Sequence, residues 1–546
     1  MMPTSSKAEA IFFQFLERLA ADFPIACASD EFYYFPQVRL QKPRWQQWDC
    51  FSSAAINNLT QQMALWEKEL SPLVASQPAG ELGIDLALFL KISQTLREQL
   101  AEVRAWERQP TFYLTLVGIG LAEAMNANDI TAADERAKGL PDFLDQARQN
   151  LKHVPRLFRD LGLAMLPDTR AYLISLTAAI PGICKAIPAL DRFENTLRNL
   201  PIEDNFRIDH QLLERIIRAH LNCETSIAEA NHLLDLEIYE MNQLLQAEAA
   251  NLLASPNSSK YQKVPDWREA MAMIPLPTVG PDGWLGRYRQ EVNKLAQHCL
   301  RQGWLSERMA AECPVHVTSV PQYLAAIRTA SSYSVVAQHP PVGGTFYILG
   351  GDGAQTMRPE SQRELPMLSA HETYPGHHLL DTYRWSMADR FRRSIEQPIF
   401  YEGWACFAEE LMWRTGYFAN AGDRLLLAKR RLWRAIRGKI DLSLQTGMLD
   451  LAAASQYLQA TGVPKNHAMA VIQKYPLQPG YQLCYTIGLR RFINFFETYG
   501  QQNLNRFVQT VLENGEIPFS NLERLLSDAL SPRRQDTKFF QDDGDV

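Results

Sequence analysis

The 546-residue sequence contains no CxxC pair; its eight cysteines stand singly at 27, 50, 184, 223, 299, 313, 406 and 484. That scatter excludes a disulfide framework and a cysteine zinc site, and the thiols are expected to be reduced and mostly buried. There is no run of lysine and arginine and the net charge is only -6, so nucleic acid is not an expected partner. Long apolar runs are also missing. The two most apolar windows, 112–122 and 171–184, fall short of a bilayer span, and Pro181 and Lys185 break and end the second. The first residues lead into an amphipathic pattern with no apolar leader core. These absences together give the expectation of a soluble cytoplasmic protein with no membrane partner. Internal repeats and low-complexity tracts are lacking too, which sets aside repeat architectures.

What is present is ordinary globular material, 46% hydrophobic and 21% charged, enough to bury a sizeable core. Up to about residue 270 the pattern is helical almost throughout. Phe12, Phe13, Phe15, Leu16 and Leu19 cluster on one side of a first helix, a long segment from Glu81 to Arg108 is ended by Pro110, and an amphipathic stretch from Ile130 to Leu151 carries Pro141 as a break or kink. Helical spacing returns from Asp209 to Leu253. Breakers then place a lobe boundary near 255–280, giving an N-terminal helical lobe (1–270) and a catalytic lobe (271–546).

The second lobe opens with a helix over 284–302. Three stretches rich in β-branched and aromatic residues follow, Val315–Thr318, Tyr333–Val336 and Gly344–Ile348, and predict a small sheet within about 313–350. An edge of that sheet either offers its backbone to an extended substrate or is a structural hairpin. Helices resume over 364–386, 423–443, 449–460, 483–499 and 522–530, and residues 541–546 read as a frayed acidic tail. The cluster Lys429-Arg430-Arg431 reads as a solvated helix face. The expected fold class is mainly α, a large multi-helix body with a small β-sheet next to the active-site helix.

The chemistry is concentrated in His371-Glu372-Thr373-Tyr374-Pro375-Gly376-His377-His378 and in the later Glu402. Imidazole and carboxylate are the ligands zinc takes when one position must stay open for water, and an unligated glutamate beside the first histidine can serve as general base. In the familiar HExxH pattern the second histidine lies at i+4, but here that residue is Pro375. The second ligand is therefore His377 or His378. On a regular helix i+6 is turned about 240° from His371 and i+7 lies about 10.5 Å further along the axis, so neither works unless the helix is distorted. Pro375 removes an amide and Gly376 accepts unusual dihedrals, so a kink or widened turn at 373–376 would bring His377 round. Glu402 is the strongest third ligand, with Cys406 and Glu409 on the same helical face. Glu409 either accepts from a ligand imidazole or faces solvent, and Cys406 reads as a packing residue more than as a ligand.

The histidine motif, the segment Glu402-Gly403-Trp404-Ala405 with Glu409, and the run Pro479-Gly480-Tyr481-Gln482-Leu483-Cys484-Tyr485-Thr486-Ile487-Gly488 together resemble the DUF885 family of predicted zinc-dependent peptidases, a largely helical group. The resemblance covers most of the second half and loosely the first. It implies a gluzincin-like architecture with Zn2+ held by His371, His377 and Glu402, and Glu372 activating the water; Leu380 stands where the family often carries glutamine. The expected function is then a zinc-dependent metallohydrolase acting on short or unfolded peptides. Tyr485 or His378 would steady the oxyanion, with a packed helical tyrosine as the other reading of Tyr485. Arg490 reads as a surface ion pair ahead of a substrate-carboxylate anchor. A di-iron oxidoreductase would need two Glu-x-x-His motifs, and only Glu229-x-x-His232 is present. A non-catalytic helical binding protein with a relic metal site is the remaining alternative, and Glu372 speaks against it. The oligomeric state and the end from which a peptide is trimmed are not specified.

Overall fold

Caps and prolines set the start of many of the helices. In the computed structural model, which describes residues 4–76, 80–127, 129–253, 266–321, 330–350, 357–388 and 390–530, Asp129 caps Ile130–Asn150 by accepting from the Ala132 amide, and Asn420 and Asp423 form a reciprocal capping box at the head of Ala421–Thr446. Pro110 opens the helix Pro110–Asn126, where its missing amide costs nothing. The preceding helix has already loosened at Gln99–Val103 and broken at Arg104, which takes a left-handed φ of 55°. Of the break or kink expected at Pro141, the break does not occur: Ile130–Asn150 is one unbroken helix, held by the buried stripe Ala133, Ala137, Leu140, Phe143, Leu144 and Ala147.

The protein is mainly helical, with two small sheets. One is a two-residue parallel pairing of β1 (Val154–Pro155) with β2 (Ile202–Glu203). The other joins β3 (Val315–Ser319), β4 (Ser332–Val335) and β5 (Gly344–Ile348) in the order β3-β5-β4. β5 runs parallel to β3 and antiparallel to β4, with Tyr333 opposite Phe346. Alternation turns Phe346 and Ile348 into the core, where Phe346 meets Tyr288 of the helix Gly283–Gln302 edge-on. β4 is thus an edge strand.

Four helical segments frame the site, all drawn from the second half: the HE helix (Leu365–Glu372), the HH helix (His377–Ser386), the Glu402 helix (Pro398–Arg414) and the arginine helix (Ala421–Thr446). The apolar core continues across residue 270. The helix Ile227–Leu253 lies along the arginine helix, and Phe12 stacks on Phe391. The boundary placed at 255–280 lies partly outside the described residues, and the acidic tail wholly so. Lys429 and Arg430 are buried and Arg431 is largely so, which corrects the solvated-face reading. All three cations point inward onto carboxylates.

The Glu402 helix crosses the tyrosine helix (Leu483–Phe495) at two glycines. A Cβ on Gly403 would stand 2.6 Å from the Gly488 Cα, and one on Gly488 would strike the Ile399 carbonyl oxygen. The missing side chains let the two backbones touch, and that contact carries Tyr481 and Tyr485 up against Glu402. Gly488→Ala should therefore cost about 1–3 kcal/mol by overpacking. A urea-unfolding midpoint unchanged from the native protein would show that the crossing tolerates a methyl group.

Candidate metal centre

The helix that begins at Leu365 ends at Glu372 and a new one begins at His377. Between them the ladder widens: the Gly376 amide reaches back six residues to the Ala370 carbonyl, and the Leu379 amide to the Thr373 carbonyl. Pro375 donates nothing there, and a Cβ on Gly376 would collide with the carbonyl oxygens of His371 and Ala370. Trp404 fixes the turn from outside, its indole N–H donating to the Pro375 carbonyl at 2.9 Å. The distortion predicted at 373–376 is present and brings His377 to His371, with ring centroids 4.8 Å apart.

His371, His377 and Glu402 converge on one point. Donor atoms of all three lie within 4.8 Å of one another and all three residues are buried. Glu402 Oε2 stands 3.6 Å from His371 Nε2 and 3.5 Å from His377 Nε2. Tetrahedral zinc bonds of about 2.0–2.2 Å place neighbouring donors roughly 3.3–3.6 Å apart, so the two distances from Glu402 to the imidazoles suit that ion. Glu402 Oε2 is fully buried and receives no hydrogen bond. A carboxylate oxygen left that way is costly unless it meets a cation. Burial pushes the Glu402 carboxyl up, and the two imidazoles outweigh it and hold the group below the usual carboxylate range.

Around the three donors stands a ring of supporting contacts. Glu409 Oε1 and Arg434 Nη2 both approach His371 Nδ1, at 3.1 and 3.2 Å; with Nδ1–H turned to the carboxylate, the Nε2 lone pair faces the donor cluster. Glu409 is gripped by Arg430 at 2.8 and 3.1 Å and by Arg434 at 2.6 Å. Burial raises its pKa, and these guanidinium groups overcome that and hold it well below normal. Arg430 and Lys429 share Glu364, at 3.0 and 2.6 Å. On the other side the Tyr481 hydroxyl donates to Glu402 Oε1 at 2.9 Å. Tyr401 stacks on His377 with centroids 4.0 Å apart and donates to Asp381 Oδ2 at 2.9 Å.

Glu372 lies beside this cluster, on the last turn of the HE helix, and accepts from the Tyr333 amide of β4 at 2.8 Å. Tyr485 lies nearly parallel to His371 with centroids 6.5 Å apart and stands beside Glu402. Cys406 sits against His371 but is not among the three converging donors. Arg490 pairs with Glu237 and Glu240, each at 2.7 Å, as the ion-pair reading expected. Leu380 is fully buried in the apolar core.

His378 is not where it was expected. Its Nδ1 takes the Tyr333 hydroxyl at 3.0 Å and its Nε2–H donates to the Cys313 carbonyl at 3.0 Å. Both nitrogens are spent, so the residue has no hydrogen-bonding atom left for a metal or an oxyanion. Its ring ties the HH helix to the sheet. Tyr481, Tyr401 and Tyr333 had been given no role. Tyr481 falls inside a quoted motif and Tyr401 directly precedes one, and their spacing from Glu402 and Tyr485 was the available signal.

The family model described as "Bacterial protein of unknown function (DUF885)" matches residues 39–526. The chain belongs to the DUF885 family. No curated protein matches it. Its fold is similar to two solved structures, described as "the putative lipoprotein from Colwellia psychrerythraea" and "a putative lipoprotein of unknown function from Shewanella oneidensis". The first is 15% identical with a TM-score of 0.73, covering 97% of this chain and 99% of its own. The second is 16% identical with a TM-score of 0.73, covering 96% and 100%. Their description overturns the cytoplasmic expectation, which rested on the want of an apolar leader or span. No helix among the described residues is long and apolar enough to cross a membrane, and a lipoprotein requires none, since the lipid makes the attachment.

In this DUF885 protein the His378 strut has a pH signature. Burial depresses its pKa to about 4, against the pull of the Cys313 carbonyl. The unfolded chain binds the proton near the ordinary value of about 6.5. The strut's stabilisation is therefore complete above that value and lost as pH falls towards 4. Unfolding free energy should drop by on the order of 2–3 kcal/mol across that window from this residue. His378→Gln should flatten the slope; an identical slope in the variant would assign the acid sensitivity to other groups.

Proposed function

We propose that this protein is a zinc-dependent peptidase of gluzincin-like architecture, with His371, His377 and Glu402 as the metal ligands and Glu372 as the general base. One observation carries the reading: a buried carboxylate oxygen without a hydrogen bond faces two imidazole nitrogens at zinc-like spacing, next to a glutamate that none of those contacts uses. Zinc at these donors would act as a Lewis acid on a carbonyl and lower the pKa of a water in the fourth position.

The chain's own residues supply the rest. The Tyr333 amide holds one oxygen of Glu372, which orients the carboxylate to take a proton from the attacking water and pass it to the leaving amine nitrogen. β4 carries that amide on the edge away from β5, and an extended peptide laid along the same edge would find further backbone partners. Tyr485, steered by Glu402, offers its hydroxyl to the oxygen on which negative charge develops. Glu409 fixes the tautomer of His371. The donors are only 4–6% exposed, so the reading favours a thin strand of short or unfolded peptide over a folded surface.

The test combines metal analysis with one substitution. Purified protein should hold about one equivalent of zinc, and Glu372→Gln should keep the zinc while peptide hydrolysis falls about 10²–10⁴-fold. Hydrolysis that survives in the variant would remove Glu372 as the base. Protein that takes up no zinc would leave the helical binding module as the better description.

A further inference from the structure

The arginine helix carries four inward-facing guanidinium groups, and three of them are matched to carboxylates. Arg430 pairs with Glu409 and Glu364, Arg431 with Glu237 and Glu410, and Arg434 with Glu409. The fourth, Arg437, makes no ion pair among the described residues. Its Nε donates to the Tyr475 hydroxyl at 3.1 Å and its Nη2 to Gln482 Oε1. Its guanidinium lies over the rings of Trp433 at 4.3 Å, Tyr485 at 5.0 Å and Tyr475 at 5.7 Å. Asp441, one turn on, accepts from the Gln482 amide at 3.1 Å and forms no ion pair with it. Arg437 is therefore a part-buried cation whose contacts are neutral acceptors and aromatic faces, with Nη1 making no hydrogen bond among the described residues and the Asp441 carboxylate feeling its charge without an ion pair. Charges in such surroundings are ordinarily paired, and a guanidinium walled by aromatics is the standard receptor for a carboxylate.

Its position gives the missing partner a role. Tyr485 stands between Arg437 and the donor cluster: the guanidinium lies over its ring at 5.0 Å, and the same ring lies beside His371 and Glu402. Extended chain covers about 3.3–3.6 Å per residue, so one or two residues bridge the gap from a carbonyl at the donor cluster to the guanidinium. We propose that Arg437 binds the C-terminal carboxylate of a peptide substrate, so that the enzyme trims one or two residues from the C-terminal end. This rests on the peptidase reading above and adds to it the direction of cleavage. Gln482 and Tyr475 act here as positioning residues, presenting the free edge of the guanidinium.

The experiment compares an N-acetylated tetrapeptide bearing a free C-terminal carboxylate with the same peptide as its C-terminal amide. The native enzyme should favour the free acid in kcat/KM by about 30-fold or more, chiefly through KM, and Arg437→Gln should bring that ratio close to one while Arg437→Lys retains part of it. Equal cleavage of acid and amide by the native enzyme, or an unchanged ratio in Arg437→Gln, overturns the proposal; the first comparison needs no variant to fold. A second arm reads binding alone, by calorimetry of the two peptides on zinc-loaded Glu372→Gln protein. Preference for the acid there, lost with Arg437→Gln, supports the anchor even where neither peptide is cut, a result that would count against the peptidase reading and not against Arg437. Equal binding of both peptides overturns the anchor whatever the activity.

Discussion

Two imidazoles six residues apart must reach one point, and a regular helix cannot bring them there. The structure meets this constraint by opening the ladder for one turn, where two amides bond six residues back in place of four. Each residue of the turn answers to that need. Pro375 has no amide to leave unsatisfied, Gly376 has no Cβ to strike the His371 carbonyl, and Trp404 donates to the Pro375 carbonyl. Because Trp404 lies two residues from Glu402 on the same helix, the clamp that holds the turn also sets the third donor in place. Turn and donor cluster are one mechanical unit.

Around that unit the protein buries an unusual amount of charge. Taking Glu409, Arg430, Arg434, Glu364 and Lys429 out of water is expensive, and each is compensated only by good geometry with the others. Replacing such a network with aliphatic side chains would serve packing as well or better. Its value lies in direction: Glu409 can face His371 in only one way while two guanidinium groups hold it, and the imidazole is thereby fixed. Lys429-Arg430-Arg431 looked like a solvated face because charge is usually outside. Nothing local to that stretch distinguishes the two cases, since the partners Glu237, Glu364, Glu409 and Glu410 lie elsewhere in the chain.

The same distinction governs what could be read beforehand. The helical class, the three strands to within a residue and the distorted turn follow from short-range patterns, namely β-branched runs and a Pro-Gly pair, while the set His371, His377 and Glu402 was what the family resemblance implied. Contacts between distant segments were not legible. Tyr481 reaches Glu402 only because Gly403 and Gly488 let two helices touch. His378 was assigned to chemistry because its neighbour is a ligand, yet one residue of helical rotation points it the other way, to Cys313 and Tyr333. At Pro141 the local rule allowed a break or a kink, and burial of one apolar face keeps the helix unbroken.

Adjacent residues of one type on one helix show most plainly how context assigns a task. Arg430, Arg431, Arg434 and Arg437 share a backbone, a charge and a partly aromatic neighbourhood. The first three meet carboxylates and become structure, since their donors are consumed in holding Glu409, Glu364, Glu237 and Glu410. The fourth meets phenol, amide and ring faces, which orient a guanidinium without neutralising it. A cation stabilised in this way keeps most of its attraction for an anion, because cation–π and neutral hydrogen-bond partners leave the net charge in place. It stands one tyrosine away from the only place among the described residues where two histidines and a glutamate converge. An anionic group that satisfied Arg437 would therefore lie within a residue or two of that convergence, which is where the terminus of a bound peptide belongs if its neighbouring amide is the bond to be cut.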